Sequence, residues 1–85
     1  MDNSEALREM GTHIKKMRKE NKLSQSQLSF MAEIAESTLL RIENGKHIAS
    51  INTLISIAKA LEIPMKELMD FEIYTELNSR GSQIL

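Results

Sequence analysis

Leu23-Ser-Gln-Ser-Gln-Leu-Ser-Phe-Met-Ala-Glu-Ile-Ala-Glu-Ser-Thr-Leu-Leu-Arg-Ile-Glu-Asn-Gly45 is the stretch that decides the fold. It reads as two short helices joined by a tight turn. Ser24, followed three residues later by Gln27, makes a capping box in which each side chain satisfies a backbone N–H at a helix start. One helix therefore begins at Gln25 and ends near Ala32. The next spans about Glu36 to Glu43 and buries Leu39 and Ile42 with Ile34 from the turn. It opens among small polar residues and stops at Asn44-Gly45, where glycine can take the left-handed conformation.

Upstream, Leu7, Met10, Ile14 and Met17 recur at steps of three and four, which puts them on one face of a first helix from about Ser4 to Asn21. Lys15, Lys16, Lys19 and Glu20 fall mostly elsewhere. Downstream, Ser50 is a good cap for a fourth helix in which Ile51, Leu54, Ile55, Ala58 and Leu61 form one stripe, widened by Ile57. That helix should be nearly all core. Pro64 fits at or near a helix start but not inside a helix, so a fifth helix covers about Pro64 to Met69. Beyond Asp70 the pattern weakens, and Asn78-Ser-Arg-Gly-Ser82 is polar and turn-rich. The expectation is an all-α, five-helix bundle with an acidic extension at residues 1–12, the main domain at 13–70 and a tail at 71–85.

The bounds are those of one small domain, because 85 residues leave too little apolar surface for a second core. With 41% hydrophobic and 27% charged residues the chain can fold and is not low-complexity. There is no Cys, which removes disulfides, thiolate metal sites and thiol catalysis. No apolar run approaches about 18 residues, and the N-terminus carries Asp2, Glu5 and Glu9 in place of a basic stretch. Neither secretion nor membrane insertion is marked, and a cytoplasmic location is expected. His13 and His47 read as surface histidines, with no carboxylate pattern that makes a metal site. No cofactor is implied, and no nucleophile–base pair suggests an enzyme.

A net charge of −1 alone argues against a nucleic-acid partner. The distribution argues otherwise. Residues 13–47 sum to +3, whereas residues 1–12 and 48–85 each sum to −2, which fits one modestly basic face on an acidic body or a mixed solvated surface. The short helix, turn and short helix at 25–43 are the pattern of a helix-turn-helix, whose second helix enters the DNA major groove.

Ile14-Lys-Lys-Met-Arg18, Leu23-Ser-Gln25, Leu28, Ile34, Leu39, Ile42-Glu-Asn-Gly-Lys46, Leu54, Ala58, Leu61 and Leu68 together resemble the phage-repressor-like helix-turn-helix family, also called the Xre or Cro/CI family. The resemblance covers residues 13 to about 70. It implies a compact, usually homodimeric regulator that binds double-stranded operator DNA in bacteria, archaea or their phages, and no enzyme activity. By the same resemblance Gln25 sits at the family's phosphate-contacting position, although a glutamine is also simply a good first-turn residue. Glu36, Ser37, Thr38 and Arg41 match the outward, base-contacting positions of the third helix. Arg41 could fork onto guanine or clamp a phosphate, and Glu36 could accept from cytosine N4 or serve only as an acid favoured by the helix dipole. Arg18 and Glu43 match a buried ion pair joining the first helix to the third. Asn44, Gly45, Lys46 and His47 follow the third helix, where exposed backbone N–H groups and cations would face phosphates; Asn44 and Lys46 are the phosphate-contacting candidates.

Several residues depart from the family pattern. Glu33 and Glu62 replace turn glycines, Ala35 stands where a capping Ser, Thr or Asp is usual, and Phe30 occupies a usually polar position. The cap of the third helix would then pass to Ser37 or to DNA, and an exposed Phe30 would meet the tail or a partner. Six methionines suggest core filling, with Met10, Met17, Met31, Met65 and Met69 in or beside helices. Met65, Met69, Phe71, Ile73, Tyr74 and Leu77 make the region from the fifth helix onward apolar enough for a two-fold dimer interface.

The leading expectation is a small autoregulatory repressor that binds a palindromic operator as a homodimer, of a kind resembling antitoxins of toxin–antitoxin operons or the controllers of restriction–modification systems. The other is a protein-interaction module on the same fold, binding a partner such as a toxin or antirepressor.

Overall fold

Five α-helices follow one another along residues 3–72, the part of the chain described by a computed structural model: α1 Ser4–Glu20, α2 Gln25–Ala32, α3 Glu36–Glu43, α4 Ile51–Leu61 and α5 Met65–Leu68. The expected all-α architecture is present, and among the described residues there is no strand. Two helices are shorter than expected. Asn21 caps α1 instead of extending it, and Pro64 and Met69 cap α5. Pro64 is extended at ψ 153°, and its carbonyl accepts from Glu67 and Leu68 N–H.

Each helix sends at least one side chain fully out of solvent: Ile14 from α1, Leu28 from α2, Leu39 and Ile42 from α3, Ile57 from α4 and Leu68 from α5. Around this centre α2 packs on both α3 and α4, α1 packs on α3, and α5 packs on α4. Expectations of burial fail at Ile51, Met31 and Met69. Ile51 is 63% exposed, because it is the first residue of α4 and its side chain leans back past the helix start, beyond the reach of neighbouring helices. The α4 core face is instead Leu54, Ile57, Ala58 and Leu61. Met31 lies on the outer side of α2 and is half exposed, whereas Met10 and Met17 do fill the core.

Four helices end in the same way. After each, one residue turns left-handed: Lys22 (φ 58°), Glu33 (φ 58°), Gly45 (φ 70°) and Glu62 (φ 57°). The following N–H then donates back across the last turn: Leu23 to Arg18, Ile34 to Ser29, Lys46 to Arg41 and Ile63 to Ala58. This is the Schellman closure, which satisfies carbonyls that a helix end otherwise leaves bare. At the three non-glycine sites the residue that follows is apolar and packs on the core, as Leu23, Ile34 and Ile63. That packing holds the strained residue in place. Glu33→Gly and Glu62→Gly should therefore each raise stability, by up to about 1 kcal/mol, since glycine removes the left-handed Cβ penalty. Denaturant midpoints measure this, and an unchanged or lower midpoint in both variants would show that the turns carry no strain.

Gly11 fixes how closely α1 approaches α3. A Cβ there would lie 2.3 Å from the Ile42 carbonyl oxygen and 2.6 Å from that of Glu43. The helices meet backbone to backbone at this point, so the end of α3 rests directly on α1. Gly45 is constrained twice, by its positive φ and by Arg8, whose Cγ would be 2.8 Å from an added Cβ.

Candidate nucleic-acid interface

Turning roughly 100° per residue, the eight residues of α3 divide into two sides. Leu39, Ile42 and Glu43 face inward and are buried; Glu36, Ser37, Leu40, Arg41 and the capping Asn44 face outward and are exposed. Thr38 lies at the border, half-buried. The structure thus brings four of the expected contact residues, Glu36, Ser37, Arg41 and Asn44, onto one stripe and places Thr38 at its margin. It also puts Leu40, 43% exposed, in the middle of that stripe. No role was expected for Leu40, although its spacing of four from Glu36 and three from Ser37 already required it to share their face.

A buried polar cluster holds the inner side of α3. The Arg18 Nε donates to Glu43 Oε2 at 2.7 Å and its Nη2 to Oε1 at 3.0 Å, a two-point contact. The remaining arm, Nη1, donates to the Leu23 carbonyl at 2.8 Å. The side chains of this pair are 8% and 0% exposed. Burial on this scale is tolerable because each nitrogen of Arg18 and each carboxylate oxygen of Glu43 has a hydrogen-bond partner, and no buried side-chain N or O among the described residues lacks one. The expected pair is present, with a third member: Gln25 Nε2 donates to Glu43 Oε1 at 3.0 Å. Gln25 is half-buried and ties the first turn of α2 to the last turn of α3. One carboxylate therefore locks α1, α2 and α3 together.

The starts of α2 and α3 differ. Ser24 and Gln27 form the expected capping box, with Ser24 Oγ accepting from Gln27 N–H at 3.0 Å and Gln27 Oε1 accepting from Ser24 N–H at 2.8 Å. At Ala35 no side chain caps α3, so Ser37 does not take over the cap. The reason is geometric: Ser37 already lies inside the helix, in the outward stripe.

After α3 the expectation of exposed backbone donors fails at Asn44, Gly45 and Lys46. Asn44 N–H donates to Leu40, Gly45 N–H to Ile42 and Lys46 N–H to Arg41, at 2.8–3.0 Å, because the last helical turn and the Schellman closure consume them. The Asn44 amide and the Lys46 ammonium, both on exposed residues, remain available to an anion there.

The residues expected at a dimer interface are divided. Met65 and Phe71 are half-buried against the core and Met69 is exposed, while Ile73 and Tyr74 lie outside the described residues. His13 is more engaged than a surface histidine: Nε2 donates to the Glu67 carbonyl at 2.9 Å and its ring lies 5.7 Å from that of Phe71. Phe30 is 84% exposed on α2. Among the described residues, no helix is long and apolar enough to cross a membrane and no group of His, Cys, Asp or Glu could hold a metal ion.

Comparison with known proteins places this geometry among relatives. Residues 14–68 match the helix-turn-helix family HTH_3. An immunity repressor protein of Bacillus phage phi105 is 38% identical over 63 residues, covering 74% of this chain and 44% of the repressor. The chain thus spans less than half the length of that relative. Among solved structures, the restriction-modification controller protein C.AhdI from Aeromonas hydrophila superposes with a TM-score of 0.73 at 28% identity, over 74% of this chain and 96% of the controller. The competence regulator ComR from Streptococcus vestibularis gives 0.70 at 29% identity, over 89% of this chain and 26% of ComR. The clp gene regulator ClgR from C. glutamicum, at 21% identity and a TM-score of 0.69 over 89% of this chain and 91% of ClgR, shares the fold.

Proposed function

We propose, because the chain belongs to the helix-turn-helix family, that it is a DNA-binding transcriptional regulator and acts as a small autoregulatory repressor. Its relatives include a phage repressor and a restriction-modification controller protein, which supports regulation over any catalytic role. The observation that carries the reading is the outward stripe of α3, whose inner side is clamped by Arg18, Glu43 and Gln25. A reading helix must hold one attitude to the groove, and this clamp supplies it.

In this reading α3 lies in the major groove of a palindromic operator. Arg41 forks onto guanine O6 and N7, and Ser37 and Asn44 lie on the same outward stripe. Glu36 accepts from cytosine N4, and Thr38 touches the groove wall. Gln25 uses one amide hydrogen on Glu43 and offers the other to a phosphate at the α2 N-terminus, where the helix dipole favours an anion. Lys46 meets the next phosphate. Two copies joined through α5 and the residues after it, including Met65, Met69 and Phe71, set the reading helices about one DNA turn, roughly 34 Å, apart.

Binding to a labelled fragment of the upstream region of its own gene, against scrambled DNA at several salt concentrations, tests this. The expected result is preference for the cognate fragment and a steep fall in affinity with salt. Arg41→Ala should lose about tenfold or more in affinity and relax sequence preference. Binding without preference in either protein would remove the autoregulatory reading. Absence of binding at low salt would transfer the fold to protein recognition, for which the exposed Phe30 is the natural first contact to mutate.

A further inference from the structure

We propose that Leu40 is a specificity-determining residue that reads the C5-methyl group of thymine at the centre of the α3 footprint. This inference rests on the placement of α3 in the major groove. Leu39 and Ile42, the apolar neighbours of Leu40 on α3, are fully buried, whereas Leu40 is 43% exposed and points away from the core. Its companions on the stripe, Glu36, Ser37, Arg41 and Asn44, can all form hydrogen bonds. Leu40 alone cannot. Set against guanine, cytosine or adenine, a leucine covers donors and acceptors without replacing the water that served them, which is unfavourable. Thymine is the one base whose major-groove edge carries an apolar group, its C5-methyl. An isobutyl side chain flanked by polar readers therefore selects thymine at the position it meets, positively through methyl burial and negatively through the unserved edges of the other bases.

The test uses the duplex that the protein recovers from a random library, compared with the same duplex carrying deoxyuridine at every thymine. The wild-type chain should bind the uracil duplex about tenfold more weakly, the effect of removing one buried methyl from each of two half-sites. Leu40→Ala, at an exposed position where the fold is retained, should bind the two duplexes within about twofold of each other by the same methyl argument. Equal binding of both duplexes by the wild-type chain overturns the proposal. So does an equal loss in both proteins, since the methyl then acts through DNA shape or another residue. Recovery of no sequence from the library is the distinct failure that removes the base-reading role of α3 itself, and the proposal with it.

Discussion

Gly11→Ala is expected to lower the stability of the fold by about 3 kcal/mol, by forcing apart two helices that meet backbone to backbone. An alanine in an exposed helix interior normally stabilises relative to glycine, by about 1 kcal/mol. Here the sign reverses. The new Cβ would sit 2.3 Å from the Ile42 carbonyl oxygen, 2.6 Å from that of Glu43 and 2.9 Å from the Glu43 carbonyl carbon. None of these atoms can swing aside as a side chain does; α1 or α3 must move as a whole. At roughly 0.05–0.15 kcal/mol per residue, a domain of this size has little to spare, so Gly11→Val should not fold. Urea unfolding followed by circular dichroism measures both variants. A Gly11→Ala protein as stable as the parent would show that the α1–α3 contact is loose, and with it the seat of the outward stripe.

Glu43→Ala is the second large effect, expected at about 3–5 kcal/mol, because it strands a buried guanidinium. Arg18 would keep only its bond to the Leu23 carbonyl, and the Gln25 amide would lose its acceptor. The loss reflects an uncompensated charge more than the worth of the pair itself. Replacing both partners with apolar side chains of similar volume, Arg18→Met with Glu43→Leu, should therefore recover most of the stability lost in the single variant. A double variant no more stable than Glu43→Ala would mean that the cluster is needed for its specific geometry. The two experiments also separate stability from function: the apolar double variant retains the core but releases Gln25, so its affinity for DNA should fall even where its unfolding midpoint does not.

Much of this architecture was readable before any tertiary contact was known. The helix bounds at Gln25, Glu36 and Ile51, the capping box at Ser24 and Gln27, and the left-handed turn at Gly45 depend on interactions spanning four or five residues. So does the division of α3 into two faces, which follows from helical period alone. Lys22, Glu33 and Glu62 show the limit even there, since nothing in these side chains announces a left-handed residue. The Arg18–Glu43 pair was legible only through family resemblance, because no local rule links residues 25 apart.

The sequence by itself determined the number of helices, most of their ends and which side of α3 is polar, since these are set by neighbours along the chain. The tertiary structure alone decided that Gly11 is the contact between α1 and α3, that Gln25 turns inward to Glu43, and that Ile51 and Met31 remain in solvent. Each of those outcomes rests on which helix lies over which side chain, a distance in space that the order of residues does not encode locally.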